Sequence, residues 1–415
     1  MRVIVVGAGI VGVCTAWYLR QRGLEVTVLE RRAGVAKETS FGNAGIIAPG
    51  YVTPWAAPGM PRKVLSYLFR SEAPVRVRPS ASPATWRWVA RWLRECRLPR
   101  YRVNRERMHR VAFYSRMQLH DLRARLGIRY EQSQGYLQLL RGERDLAMLA
   151  PARALLDESA VPYEMLSPER VRELEPGLSR TAPLAGGLHL PEDESGNCPL
   201  FAHALRCAGE DEGVRFRFGA AVERVAMEGG RAVGVVSDGQ LDRADAVVVA
   251  AALGSVPLLA HCGVRVPMQP VKGYSATVAL DAAAIGPQRA LMDEAYKTAI
   301  TPFANRIRIA GTAELGGPEL RLRAAPLRTL LKVATDWFPG AARYSDAQFW
   351  VGARPMLPDG APLLGATRVP GLFVNVGHGS TGWTMACGSA RVVADVVSGC
   401  DPEISLDGLT LDRYR

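Results

Sequence analysis

The sequence predicts an α/β protein in which a doubly wound parallel sheet is interleaved with an α+β domain built on a largely antiparallel sheet. Three observations carry that expectation. The chain opens with strand, glycine turn, helix and strand in close succession. It ends with a second strand, glycine turn and helix. Between residues 264 and 349 short alternating apolar runs dominate instead, as in antiparallel strands.

The opening unit comes first. Val3, Ile4, Val5 and Val6 read as a buried strand, and Gly7, Gly9 and Gly12 follow as G-x-G-x-x-G, with helical periodicity across 13–22. The first glycine permits the turn, the second lets a pyrophosphate approach the backbone, and the third lets helix pack on strand. Phosphates would lie on the helix N-terminus, where free N–H groups meet them. A second strand over 25–29 ends at Glu30, placed for a ribose hydroxyl. The full unit predicts a Rossmann-like dinucleotide site. A signal peptide is the rival reading, and the glycines break the apolar core it would need.

After Glu30, Glu38-Thr39-Ser40 and Asn43-Ala44-Gly45 form a polar, small-residue loop at the carboxyl edge of the sheet. Residues 51–61, with Pro54, Pro58, Gly59 and Pro61, can be neither central strand nor helix and read as the exit from the first segment. Helical periodicity returns over 108–126 and 146–156, with a short strand over 136–140. A composition change near Gly186 introduces a helix over 201–211, a strand over 214–218, a hairpin over 222–236 and a buried strand over 245–252, read as further strands of the doubly wound sheet. Strands over 276–280, 299–301 and 307–310 and a helix over 327–337 make the second domain. A strand over 372–376, the turn 377–382 and a helix to Val397 close the chain. The expected segments are 1–60, 186–256 and 356–415 for the nucleotide domain, and 61–185 and 257–355 for the other.

Composition narrows the classes. The chain has 415 residues, 48% of them hydrophobic, enough for two globular domains and too apolar for disorder. Seven cysteines show no C-x-x-C pair and six histidines no ligand grouping, so a reducing compartment and no metal are expected. The net charge of +12 is local: residues 62–129 hold 18 Lys and Arg against 4 Asp and Glu, an excess of 14 that leaves the remainder at −2. Within that patch Thr85, Trp88, Val89, Trp92, Leu93 and Cys96 share one helical face, opposite Arg87, Arg91 and Arg94. Such a helix either packs its tryptophans on its own domain or lies on an anionic membrane surface. Nucleic acid is not expected as a partner. No run of about 18 uncharged apolar residues lacks internal glycines, so no spanning helix is expected. The expected location is the cytoplasm, with peripheral contact on the inner face of the cell membrane if the helix binds lipid.

Five motifs in order resemble one family. They are the glycine-rich N-terminus, Glu38-Thr-Ser with Asn43-Ala-Gly, Val271-Lys-Gly-Tyr-Ser275, Gly352-Ala-Arg-Pro355 with 358–365, and the run 377–386. Together they resemble the D-amino-acid dehydrogenase small-subunit family, within the wider D-amino-acid oxidase and glycine oxidase group. The resemblance spans nearly the whole chain and implies FAD, an antiparallel substrate sheet and oxidative deamination. It implies Arg354 as the grip on a substrate carboxylate, a role that suits the two-pronged, permanently charged guanidinium. Tyr296 is expected at the same carboxylate, with Tyr274 as a further candidate and Lys272 near the flavin. Gly377, Gly379, Ser380, Thr381 and Gly382 would bring N–H groups and a helix start to the flavin's pyrimidine end, where negative charge develops on reduction. His378 either adds to this or only faces the flavin edge. Arg31, Val225 and Gly254 complete the expected cofactor-binding set. Some oxidase relatives hold flavin covalently through a cysteine in the stretch matching 352–358; none is present, so non-covalent FAD is expected.

The chemistry then expected is hydride loss from Cα of a D-amino acid to the flavin, hydrolysis of the imino acid to a 2-oxo acid and ammonia, and electron transfer to a quinone or respiratory acceptor. D-hydroxyproline, L-proline and glycine are rival substrates. An RNA-modifying flavin enzyme and a non-catalytic FAD subunit are the readings of other classes.

Overall fold

The structure is a computed structural model and describes residues 1–67, 72–78, 80, 82–317 and 319–414. Six strands form a sheet in the order Leu363–Ala366, Leu372–Val376, Ala246–Val249, Arg2–Val6, Glu25–Glu30, Arg215–Phe218. All neighbours are parallel except the first pair. Strands buried on both faces need apolar residues throughout, and Val3 to Val6 and Ala246 to Val249 are each at most 4% exposed. One face is covered by the helices Ile10–Gln21, Cys198–Asp211 and Gly382–Val397. The other is covered by the helix Ser255–His261 and a three-stranded antiparallel sheet.

The opening helix approaches its strand so closely that a Cβ on Gly12 would lie 1.9 Å from the Gly7 carbonyl oxygen. Gly7 itself turns at φ +103°, where a side chain is strained. Both glycines are therefore dictated by the turn that the sequence predicted.

The second sheet contains ten strands. Its main path runs Gln348–Met356, Gln269–Ala279, Arg306–Leu315, Thr298–Phe303, Ala290–Asp293, Ser133–Leu140, Gly186–Ser195, Ile46–Ile47. Most neighbours are antiparallel; Ala290–Asp293 beside Ser133–Leu140 and Val75–Val77 beside Arg306–Leu315 are parallel. Because side chains alternate across a strand, the sheet has two faces of different character. Tyr274, Ala276, Val278, Ile307 and Ile309 pack on Leu330, Val333 and Trp337 of the helix Ala324–Trp337. This is the helix face. Thr277 and Arg308 point the other way, toward the loop 38–46. This is the loop face.

The structure departs from the sequence reading in four places. The hairpin over 222–236 does not join the doubly wound sheet; with Gln240–Arg243 it forms the separate three-stranded sheet. The strand Gly186–Ser195, placed by composition in the nucleotide segment, pairs with Ser133–Leu140 in the ten-stranded sheet. The helix expected over 146–156 is two, Glu143–Met148 and Ala150–Glu158, with Pro151 in the first turn of the second. A helix Met60–Tyr67 starts inside the proline-rich stretch, because Pro61 falls in its first turn.

In the basic helix Pro83–Glu95, Trp88 and Trp92 are buried against Trp55, and the Trp88 indole donates to the Met356 carbonyl at 3.0 Å. The tryptophans thus pack internally, whereas Trp86 and Leu93 are exposed. No helix among the described residues is long and apolar enough to cross a membrane.

Candidate active site

Two helix N-termini from opposite ends of the chain frame the nucleotide site. The helix Ile10–Gln21 has Gly9 at its N-cap, with no side-chain cap and no acid in the first turn. The helix Gly382–Val397 has the same two properties, with Thr381 at its N-cap. Helix starts left uncapped by their own side chains are ready anion sites. Asn375 Nδ2 donates to Thr15 Oγ1 at 3.0 Å and ties the two units together. Glu30 lies at the end of its strand, its carboxylate accepting the Ala8 N–H at 2.7 Å and the Arg32 N–H at 2.8 Å. The acid predicted for a ribose is therefore held at the edge of the glycine turn.

The loop 38–46 bridges the two sheets. Ser40 Oγ accepts the Ile10 N–H at 3.1 Å, and Thr39 Oγ1 donates to the Ala353 carbonyl at 2.8 Å. Asn43 turns the loop on itself, donating to the Ser40 carbonyl and accepting from Gly45 N–H. Ala44 is half-buried between them. Gly45, at φ +78°, lies so close to Phe303 that a Cβ would meet the ring at 2.4 Å. Arg31 does not reach inward: its guanidinium is exposed and paired with Glu38. Burial would raise the Glu38 pKa, but the hydrogen bonds from Arg31 and Arg32 outweigh it and hold that carboxyl below the usual range.

Val225 is buried beside Val6 and Leu29, near Ala220, whose N–H donates to the Glu30 carbonyl. Gly254 closes a short 3-10 turn after the strand Ala246–Val249, and a Cβ there would make only an ordinary contact. Gly377 turns at φ +83° where a Cβ would strike Leu357 at 2.2 Å, and Gly379 turns at φ +56° beside Met356. Thr381 donates to the His378 carbonyl, and Ser380 is exposed at the crest.

On the loop face, Arg354 is the central group. Its Nη1 donates to the Thr312 carbonyl at 3.0 Å and the Lys272 carbonyl at 3.3 Å. A Cβ on Gly273 would lie 2.4 Å from Nη2, so the glycine gives the guanidinium its room. Burial pushes the Arg354 pKa down to about 10, with no acidic group acting in the other direction. A half-buried cation held by carbonyls alone gains from an anion that arrives. Trp350, on the same face, occupies space that a Cβ on Gly42 or Gly352 would invade. Arg308 was not singled out from the sequence. Its Nη1 donates to the carbonyls of Phe41 and Asn43, and its Nε to Thr277 Oγ1 at 2.6 Å. Its signal was a cation inside an apolar strand.

Four expected residues do not face this site. Lys272 and Tyr274 fall on the helix face, where Lys272 Nζ reaches Glu314 at 3.4 Å and the Gly316 carbonyl at 2.9 Å, and the Tyr274 hydroxyl donates to Glu314. Burial pushes the Tyr274 pKa up to about 12. Tyr296 is also on that side, between Arg141 at 4.9 Å and Lys332 at 5.2 Å from its ring. For Lys272 and Tyr274 the physical reason is strand parity, residues one apart pointing to opposite faces; Tyr296 lies in the turn after Ala290–Asp293, its N–H donating to Asp293 Oδ1 at 3.1 Å. The His378 ring is buried and hydrogen-bonded to Ser389 at 3.0 Å, inside the closing helix. Burial pushes its pKa down to about 3, so it is neutral and adds no charge to the turn.

The described residues contain no group of three or more His, Cys, Asp or Glu that could hold a metal. They do fit a dinucleotide flavin: two uncapped helix starts, a carboxylate at the strand edge and a glycine cradle face one loop.

The comparisons with known proteins agree. A family model described as FAD dependent oxidoreductase matches residues 2–396. The chain is 47% identical over 416 residues to a D-amino acid dehydrogenase from Rhizorhabdus wittichii, covering all of both chains. Among solved structures it is similar in fold to glycine oxidase from Geobacillus kaustophilus (TM-score 0.77, 23% identity, 100% and 99% of the two chains). It is also similar to L-proline dehydrogenase from P. horikoshii (TM-score 0.76, 18% identity, 100% and 97%).

Proposed function

The chain belongs to the FAD dependent oxidoreductase family, and from that premise we propose that it oxidatively deaminates free D-amino acids to 2-oxo acids and ammonia. FAD is its cofactor. When bound, FAD supplies the two-electron acceptor for a hydride leaving Cα. The phosphates would be held by the N–H groups of Gly9 and Val11, beside the Ile10 N–H that Ser40 takes, and the ribose side by Glu30; with no cysteine in 352–358, the attachment is non-covalent.

The observation that carries the reading is Arg354, half-buried on the loop face with no carboxylate partner among the described residues. Its remaining N–H groups match the substrate carboxylate. Trp350 and the loop 38–46 narrow the space around it, which limits water and fixes the amino acid's orientation. The amine gives up its proton before Cα–H leaves, and water then converts the imino acid to the 2-oxo acid. The D preference is supported by the 47% identical relative, whose name states it.

Electrons are proposed to pass to a quinone or respiratory acceptor. Exposed Trp86 and Leu93 beside Arg87, Arg94 and Arg97 support a peripheral contact with an anionic membrane surface. The test is to mix the flavin-loaded protein anaerobically with separate D- and L-amino acids. Loss of the oxidised-flavin colour with D-enantiomers is expected. Reduction by L-proline, by glycine or by L-enantiomers alone would replace the substrate assignment.

A further inference from the structure

The strand Gln348–Met356 alternates between the two faces of the ten-stranded sheet. Phe349 and Val351 pack on the helix face, so Trp350, Gly352 and Arg354 point together toward the loop 38–46. Gly352 stands directly opposite Gly273 on the neighbouring strand. Each of these glycines gives its room to one side chain. A Cβ on Gly352 would lie 1.8 Å from the Trp350 indole at Cη2, and a Cβ on Gly273 would lie 2.4 Å from Arg354 Nη2. Cβ positions of directly opposed residues are roughly 5 Å apart, so the indole edge and the guanidinium are separated by at most about 10 Å. That is the space which a hydrogen-bonded carboxylate, its Cα and a short side chain occupy.

The same ring reaches the loop. A Cβ on Gly42 would lie 2.0 Å from Trp350 Cε3. The six-membered ring is thus wedged between the strand that carries Arg354 and the loop whose Ser40 accepts the Ile10 N–H at the glycine turn. Trp350 and Arg354 are both half-buried, so each keeps an accessible edge. The groups aligned with Trp350 across the ladders are uncharged: it lies opposite Ser275, Ser275 opposite Ala310, and Ala310 opposite Ala299. Arg308, in the next row, is committed to the Phe41 and Asn43 carbonyls and the Thr277 hydroxyl. A charged side chain brought against the indole would lose water without gaining a partner, whereas an apolar one buries its surface there.

We propose that Trp350 is the wall against which the substrate's side chain packs, which makes the site selective for neutral apolar side chains and sets the largest one it admits. Arg354 holds the α-carboxylate, and the indole meets the side chain. Gly42 and Gly352 act as positioning residues that admit the ring. The inference rests on the amino-acid oxidation proposed above.

The test uses flavin-loaded protein and anaerobic reduction by D-leucine and D-asparagine, which have nearly the same shape, and by the bulkier D-tryptophan. In the native protein kcat/KM for D-leucine should exceed that for D-asparagine at least roughly tenfold. Trp350→Ala should raise the ratio of D-tryptophan to D-leucine at least roughly tenfold, with Trp350→Phe falling between it and the native protein. A ring that served only to hold the fold would lower kcat/KM for all three substrates by one factor. That outcome, or a ratio near one for D-leucine over D-asparagine in the native protein, overturns the proposal. Reduction by no D-amino acid at all would defeat the deamination reading, whereas reduction with ratios that do not respond to Trp350 defeats only the assignment of the wall.

Discussion

The helix face and the loop face of the ten-stranded sheet both bury cations, but they neutralise them differently. On the helix face Lys272, Arg78 and Arg323 surround the buried Glu314 at 3.3 to 3.4 Å, and Arg141 reaches Asp293 at 2.7 Å. Among the described residues, Arg354 and Arg308 on the loop face donate only to carbonyls and a hydroxyl. Arg308 spends its donors holding the loop 38–46, whereas Arg354 uses one nitrogen. A cation with its own carboxylate is part of the architecture, and one without it is poised for an anion brought from outside.

Substitutions on the two faces should separate accordingly. Arg354→Ala should cost about 3 kcal/mol of substrate binding, raising the D-amino acid concentration needed for flavin reduction by roughly 100-fold, with flavin still bound. A normal concentration dependence in stopped-flow reduction would place the carboxylate elsewhere. Lys272→Met, on the opposite face, should lower stability by about 2 kcal/mol, less than the roughly 3–5 for a carboxylate left alone, since Arg78 and Arg323 remain near Glu314. It should show in the denaturant midpoint and leave KM unchanged; a raised KM would erase the contrast between faces. Gly273→Ala displaces the guanidinium without removing it, and a loss of about tenfold in kcat/KM is expected from kinetics.

His378 tests the closing turn. Its folded pKa of about 3 lies below its ordinary 6.5, so the unfolded chain binds the extra proton between those values and stability falls as pH falls through that window. The slope approaches about 1.4 kcal/mol per pH unit. In thermal melts the advantage of the native protein over His378→Gln should therefore shrink from pH 6.5 downward; a constant difference would mean the ring is not buried neutral. The smallest effect belongs to Tyr296→Phe, expected within about 0.5 kcal/mol in stability and without change in KM, because its hydroxyl makes no contact that the loop face uses.

The glycine turns and the strands that feed them were legible in the sequence because periodicity and spacing act over a few residues. Arg354 entered through the resemblance, and what the structure adds is the face it lies on and the carbonyls it meets. Lys272 and Tyr274 fall on the helix face because a single step along a strand reverses direction, and the ladder between Gln269–Ala279 and Arg306–Leu315 shifts register between them; Tyr296 lies in the turn after Ala290–Asp293, where sequence pattern does not set direction. Arg308 showed only as a cation inside an apolar strand, because the carbonyls it holds, those of Phe41 and Asn43, lie far away in sequence. The extra three-stranded sheet escaped notice because a hairpin's pattern does not say which sheet it joins.

The tie between the opening and closing helices has a consequence for synthesis. Cys14 and Cys387 lie 3.9 Å apart although 373 positions separate them. At typical translation speeds of about 5–20 residues per second, the first half of the nucleotide cradle waits on the order of 20–70 s for the second. Cofactor capture is thus deferred until the chain is nearly complete, and the apolar flank of the first helix is the surface a chaperone would find waiting.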